Sequence, residues 1–296
     1  MKRFLVLLLA VSLVLLLITP VAFAKSDKDK PLSASDIELV KKATIKGPKA
    51  PKGKPATQAA TGVLGAPCEG KKYAVVVGIS DYPGTASDLE FCDDDAQDMC
   101  NALTSLYGYK SANIRLLTDS EATFDAIRDA IADIDGKEVA GDEVLFFFSG
   151  HGAKGKANDG DRENIDESIV THDGSNFVYI WDGQLKDWFS GFATSRIIFI
   201  FDSCLAGGMT DLKAPGRVIS MACSETGLSY ESSTWGNGQF TYYFVDEGML
   251  QAEADKYDNV TGVVDVTVEE AFDYAKTNCV SQTPTVSDSF TNDLLP

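Results

Sequence analysis

Beyond residue 70 the hydrophobic positions of this chain concentrate in three unbroken runs, each closed by a polar or glycine-containing tip. These are Tyr73–Ser80 (YAVVVGIS), Glu143–Gly152 (EVLFFFSGHG) and Arg196–Gly208 (RIIFIFDSCLAGG). Runs of β-branched and aromatic residues without polar alternation predict strands buried on both faces, as at the centre of a parallel sheet. Between them the period lengthens. Ser87 to about Leu106, with Leu89, Met99, Leu103 and Leu106 apolar, predicts a helix. So does the segment after Thr123, where Ile127, Ile131 and Ile134 fall at i, i+4 and i+7 and Thr123 supplies the cap. Asn113–Leu117 and Arg217–Cys223 read as further strands, and Asp182–Phe189 and Phe240–Leu250 as helices. Thr267-x-x-Glu270 is a capping box for a helix reaching Cys279. Lys154–Glu167 is polar and contains glycine, which predicts an exposed loop. Ser168–Thr171 and Asn176–Ile180, around Asp173-Gly174, predict a small hairpin. Strands alternating with helices give an α/β sandwich around a mostly parallel sheet, with residues 71–296 as a single domain.

The N-terminal quarter has other patterns. Lys2 and Arg3, an apolar core from Phe4 to Ile18, and Ala22-Phe23-Ala24 read as a secretory signal over residues 1–24. An uncleaved anchor is the alternative, since the apolar stretch almost spans a bilayer before Thr19-Pro20 interrupts it. Either reading predicts an exported protein, secreted or tethered. Residues 25–70 are rich in Lys, Pro, Ala and Thr and read as a linker or pro-segment without a core of its own, with a short helix at Ser35–Lys42.

Charge narrows the function classes. The chain carries −18 overall; residues 25–70 hold nine Lys against five Asp or Glu, and with Lys2 and Arg3 this leaves 71–296 at −24. Nucleic-acid binding needs a positive face, so no nucleic-acid partner is expected. Basic substrates or divalent cations fit better, although simple solubility explains the charge equally well. Six cysteines in 296 residues are too few for a disulfide scaffold. Export permits a bridge among Cys68, Cys100, Cys223 and Cys279, without fixing a pairing. Zinc is not expected from two histidines and dispersed cysteines. Asn259-Val260-Thr261 is a glycosylation sequon.

The strand tips carry the candidate chemistry. Cys204 ends one buried strand and His151 another, and open α/β sheets place their sites at that carboxyl edge. A thiol and an imidazole so placed, each flanked by glycine, are a candidate nucleophile and base. Taken singly, either residue is more commonly a buried thiol or a hydrogen-bonded histidine.

SGHG after one apolar strand and DSC after another resemble the caspase-like cysteine peptidases, and the metacaspase branch in particular. YAVVVGISDY, FCDDDA and GQFTYYFVDEGML extend the resemblance over most of 71–296. The resemblance implies a three-layer α/β/α sandwich, a Cys204–His151 dyad, and backbone N–H groups of Gly152 and Cys204 as oxyanion donors. It implies an acidic pocket at Cys92, Asp95, Ser149 and Asp202, hence cleavage after Arg or Lys and not after Asp. An acidic helix start is the plain alternative for Asp93–Asp95. It implies no cofactor for the chemistry, a calcium activator site for which Asp166, Asp182 and Asp211 are candidates, protein or peptide substrates, and a monomer. Acids scattered over an acidic surface are the plain alternative for the calcium set. Metacaspases usually read DSCHSG, whereas Leu205-Ala206 follow the nucleophile here, which alters the rim of the site. Lys154, Lys156, Arg162 and the Lys-rich linker are candidate self-processing sites of a zymogen. The rival readings are a legumain-, clostripain- or gingipain-like peptidase with a different pocket, and an inactive pseudopeptidase that binds peptides.

Overall fold

A computed structural model describes residues 29–46, 58–160, 164–257, 259 and 262–296. The signal at 1–24, Arg162 and part of the Asn259 sequon lie outside the described residues. The strands are β1 (Ala34–Val40), β2 (Ala43–Thr44), β3 (Lys72–Gly78), β4 (Ile114–Thr118), β5 (Glu143–Ser149), β6 (Gly152–Ala157), β7 (Asp166–His172), β8 (Phe177–Trp181), β9 (Ile197–Asp202), β10 (Arg217–Met221), β11 (Tyr230–Ser232), β12 (Asn237–Gly238) and β13 (Thr285–Asp288). The helices are α1 (Cys92–Ser105), α2 (Phe124–Asp135), α3 (Asp182–Trp188), α4 (Gln239–Thr241, continued as a π-helix over Tyr242–Leu250) and α5 (Val268–Asn278).

Six strands form the central sheet in the order β13-β10-β9-β5-β3-β4. All are parallel to their neighbours except β13, which runs antiparallel to β10. The unbroken apolar runs are explained by burial on both faces. Val75, Val77, Phe146, Phe148, Phe199 and Phe201 point to one face and pack with Ile127, Ile131 and Leu185 of α2 and α3. Val76, Leu145, Phe147, Ile198 and Ile200 point to the other and pack with Met99, Leu103, Phe244 and Phe272. The result is three layers around one sheet. Thr123 caps α2, accepting the Ala126 N–H, and Thr267 and Glu270 form the capping box of α5.

A second, antiparallel sheet has the order β1-β6-β7-β8 and flanks the carboxyl edge of the first. It overturns two sequence expectations. Of the loop expected over Lys154–Glu167, residues 154–157 belong to β6 and Asp166 and Glu167 open β7, and Ser35–Lys42 is not a helix: residues 35–40 belong to strand β1, paired to the edge of β6. An eight-residue helix has little stability alone, whereas Ile37 and Leu39 alternate with polar neighbours and suit an edge strand. The predicted linker is therefore ordered over 29–46 and 58–70. Asp293 holds the second piece by accepting N–H groups of Thr61 and Gly62. The hairpin β7–β8 forms around Asp173-Gly174 as the sequence predicts. Helix α1 starts at Cys92, later than predicted, and β13 had no clear signature.

Candidate active site

In-register pairing sets the geometry. Gly78 of β3 lies beside Ser149 of β5, and Ser149 beside Asp202 of β9, so three strands end on one line. His151 and Cys204 follow two residues later. A side chain on Gly152 would meet the Cys204 carbonyl oxygen at 2.1 Å, so glycine there lets the two strand tips touch. Gly78 plays the same part for α1: a Cβ would strike the Cys92 carbonyl at 2.1 Å. That close crossing brings the first turn of α1, with Cys92 and Asp95, over the sheet edge.

His151 is buried and held on every side. Its Nε2–H donates to the Ser87 carbonyl at 2.8 Å, which leaves Nδ1 as the bare acceptor, and Nδ1 receives the backbone N–H of Lys42 at 3.1 Å. The Tyr82 ring stacks on the imidazole with centroids 4.5 Å apart. The Tyr82 hydroxyl accepts the His151 N–H and donates to the Val170 carbonyl, both at 3.0 Å. The third group that orients the histidine is therefore a backbone carbonyl, which explains why no side chain could be assigned to that role from sequence. Burial, with the nearby Lys41 and Lys42 cations, pulls the His151 pKa down to about 4 against the Ser87 bond.

Cys204 is equally enclosed. Its Sγ accepts the Ser229 N–H at 3.2 Å. Burial pushes the thiol up to about 11, partly offset by that N–H and by Lys42. Both groups are neutral at pH 7. Leu205 takes a left-handed conformation, φ 61°, immediately after the thiol. That conformation costs a non-glycine residue roughly 1–2 kcal/mol.

The four residues assigned to an acidic pocket converge on one cation, and it belongs to the chain itself. Lys42 Nζ lies 3.0 Å from Ser149 Oγ, 3.0 Å from Asp202 Oδ1, 3.5 Å from Asp95 Oδ2 and 3.7 Å from Cys92 Sγ. It also reaches the Asp202 carbonyl at 3.2 Å. Lys42, Asp95 and Asp202 have fully buried side chains. Burial opposes the charge on Lys42, but Asp202, Cys92 and Asp95 outweigh it and hold its pKa well above the ordinary lysine value. Asp95 is raised to about 7 by burial, against the pull of Lys42.

Residues that sequence reasoning passed over complete the pocket. Asp202 accepts Ser229 Oγ at 2.5 Å, Thr241 N at 3.0 Å and Thr241 Oγ1 at 2.8 Å. Gly238 N donates to Asp95 Oδ1 at 2.9 Å, and a Cβ on Gly238 would sit 2.4 Å from Asp202 and 2.6 Å from Lys42. Gly238, Gln239 and Thr241 lie at the start of the GQFTYYF stretch, which was the only available signal.

The calcium candidates separate. Asp182 is buried, neither carboxylate oxygen has a hydrogen-bond partner, and burial followed by Asp159, Asp211 and Glu167 raises it to about 9. Asp211 pairs with Lys186 at 2.9 Å. Asp166 instead accepts the Ala157 N–H at 2.7 Å. Among the described residues no three His, Cys, Asp or Glu side chains are arranged to hold a metal ion. All six cysteines are free thiols. Lys154 and Lys156, candidates for self-processing, lie in β6 and pair with Glu38 and Asp36. Among the described residues no helix is long and apolar enough to cross a membrane.

Residues 71–295 match the family model described as the caspase domain. Metacaspase-1 of Schizosaccharomyces pombe is 32% identical over 154 residues, 49% of this chain and 36% of that protein. Metacaspase-4 of Arabidopsis thaliana is 34% identical over 148 residues, 47% of this chain and 34% of that protein. The matched stretch thus spans about a third of these relatives. A crystal structure of a protein from Geobacter sulfurreducens superposes with a TM-score of 0.57 at 18% identity, covering 76% of this chain and 95% of the other, which is a likeness of fold.

Proposed function

Because the chain belongs to the caspase-domain family, we propose that it is a cysteine endopeptidase of the metacaspase type that cuts protein substrates after Arg or Lys. The observation that carries this is the seat of Lys42 Nζ between Asp95, Ser149 and Asp202. Two carboxylates and a hydroxyl around a buried ammonium favour a cationic residue and repel an acidic one. Asp, the residue selected by an arginine-lined pocket, has no partner there.

In this reading Cys204 attacks the scissile carbonyl. Its proton passes to His151 Nδ1, whose lone pair faces the cleft because Nε2–H is fixed on Ser87. The N–H groups of Gly152 and Cys204 receive the oxyanion. His151 then protonates the departing amine, and water hydrolyses the acyl-enzyme. A neutral thiol and a neutral imidazole at rest require that first proton transfer, since the ordinary thiol already titrates near 8.5.

Calcium as an activator belongs to the same proposal. Buried Asp182 offers a carboxylate of the kind a hard cation prefers, with Asp211 among its acidic neighbours, but no three-ligand set is preformed among the described residues, so binding would require these side chains to rearrange. Asp182 would be the residue to hold the ion, which would supply the positive charge that its acidic neighbours lack. Export, from the signal pattern at residues 1–24, is proposed on sequence grounds alone.

The test is hydrolysis of fluorogenic peptides ending in Arg, Lys or Asp, with calcium and with chelator, for the wild-type, Cys204→Ala and Asp182→Asn chains. The reading expects cleavage after Arg and Lys that vanishes in Cys204→Ala, and a calcium response that Asp182→Asn removes. Cleavage after Asp contradicts the pocket.

A further inference from the structure

Lys42 fills the pocket from the wrong direction to be cut. The inference rests on the proposed reading of that pocket and concerns its regulation. For hydrolysis after a pocket-bound residue, the nitrogen beside the histidine must belong to the next residue, because that nitrogen leaves with the proton. The chain after the cut must therefore depart past His151, and the chain before it must lie on the other side of the thiol. Here the nitrogen on His151 Nδ1 is that of Lys42 itself.

The flanking segments have the same reversed sense. The chain before Lys42 is β1, which runs antiparallel along β6 on the His151 side, with Val40 opposite Gly152 and Leu39 opposite Ala153. The chain after Lys42 is β2, which lies on the far side of Cys204. Ala43 N–H donates to the Ser229 carbonyl at 3.2 Å and Ile45 N–H to the Glu231 carbonyl at 2.9 Å, in a parallel pairing with β11. The Lys42–Ala43 amide is thus turned away from the proton donor. The Lys41–Lys42 amide does have its nitrogen at His151, but Lys41 is outside the pocket, its Nζ on the Ala86 carbonyl at 2.8 Å. A lysine tolerates either direction because its pocket contacts lie at the end of a four-carbon stem.

We infer that residues 34–45 are a built-in inhibitor of the peptidase site, held in reverse polarity and not consumed by it. Its release is an unpairing of β1 from β6 and not a cut at Lys42. The strap is built to detach. Outside Lys42 its charged contacts are Glu38 with Lys154 and Asp36 with Lys156, all well exposed. Asp36 has a left-handed φ of 54°, and the pairing register shifts between Ser35 and Glu38. Exposed pairs of this kind add little and weaken with salt.

The experiment compares the full-length wild-type, Lys42→Ala, Lys42→Arg and Asp36→Lys/Glu38→Lys chains on a peptide substrate ending in Arg, with mass spectrometry of each chain during turnover. Lys42→Ala is expected to raise kcat/KM at least 10-fold, mainly through KM, and Lys42→Arg to stay inhibited. The double charge reversal leaves the pocket intact and is expected to raise activity several-fold, which keeps the test open if Lys42→Ala misfolds. Residues 34–45 are expected to stay uncut in the wild-type chain. A Cys204-dependent cut after Lys41 or Lys42, appearing at a rate independent of protein concentration, overturns the inference. Equal activity in all four chains also overturns it while leaving the peptidase reading standing. Absence of hydrolysis in every chain overturns both.

Discussion

Nε2 of His151 lies 2.8 Å from the Ser87 carbonyl oxygen, and that bond decides which ring nitrogen faces the cleft. A backbone carbonyl cannot take the proton, so it fixes the tautomer and the ring plane without competing as a base. Ser87 itself stands in a short turn between β3 and α1. The geometry of the base therefore depends on a loop more than on any acidic side chain.

Tyr82→Phe follows from that arrangement. The substitution keeps the stacked ring and removes the hydroxyl that bridges His151 N and Val170 O. Loss of a bridging buried hydroxyl is expected to cost about 1–3 kcal/mol of stability. As a positioning effect it should lower kcat about 10-fold with little change in KM, read from steady-state kinetics on an Arg substrate.

Asp202 and Asp95 are expected to rank differently. Both carboxylates are held by other donors, Asp202 by Ser229 and Thr241 and Asp95 by Ser149 and Gly238, but Asp202 lies 3.0 Å from the ammonium and Asp95 3.5 Å. In the Lys42→Ala chain, where no internal lysine competes for the pocket, Asp202→Asn should reduce kcat/KM for Arg and Lys substrates about 100-fold, within the 2–5 kcal/mol expected for breaking a buried charge pair. Asp95→Asn should cost about 10-fold, in line with a weaker, longer contact. Both are read from peptide hydrolysis, with unfolding midpoints to confirm the fold.

Stability should fall in mild acid through His151. Its folded pKa near 4 lies below the ordinary 6.5, so the unfolded chain binds the proton first. The stability this group supplies is complete above pH 6.5 and is lost as pH falls toward 4, by roughly 3 kcal/mol at most. Buried carboxylates with raised pKa values change stability in the opposite sense. The measurement is therefore the difference in urea midpoint between wild type and His151→Gln from pH 7 to pH 4. That difference should shrink as the pH drops.

The thiol gives a second pH signature. With a pKa near 11 in the plugged chain, only about one Cys204 in a thousand is a thiolate at pH 8. Alkylation of Cys204 by iodoacetamide, followed by peptide mapping, should be slow at pH 8 and rise about 10-fold per pH unit up to pH 11. In Lys42→Ala water enters the cleft. Burial is the main cause of the high pKa, so alkylation at pH 8 should accelerate even though a neighbouring cation is gone.

The sheet and the two strand tips were legible because fully buried parallel strands leave unbroken apolar runs that nothing else within 71–296 imitates. Cys92, Asp95, Ser149 and Asp202 were legible as a set only through the resemblance, since a crossing of α1 over Gly78 leaves no periodic trace. The helix expected at Ser35–Lys42 was wrong for a physical reason. Residues 34–45 have no core of their own, and composition reports only what a segment can bury by itself. Their order comes from the edges of β6 and β11 and from the pocket that receives Lys42, features that belong to the surface they pack on. Ser87 escaped because it acts through its backbone carbonyl, which carries no side-chain signature, and Ser229 because half of its role, the N–H on Cys204, is backbone too.

The most direct measurement is hydrolysis by the Lys42→Ala chain of matched peptides ending in Arg, Lys, Ala and Asp, repeated with Cys204→Ala added. The account predicts turnover of the Arg and Lys peptides, none of the Asp peptide, and complete loss without the thiol. Turnover of the Asp peptide, or Arg and Lys cleavage that survives Cys204→Ala, would contradict it.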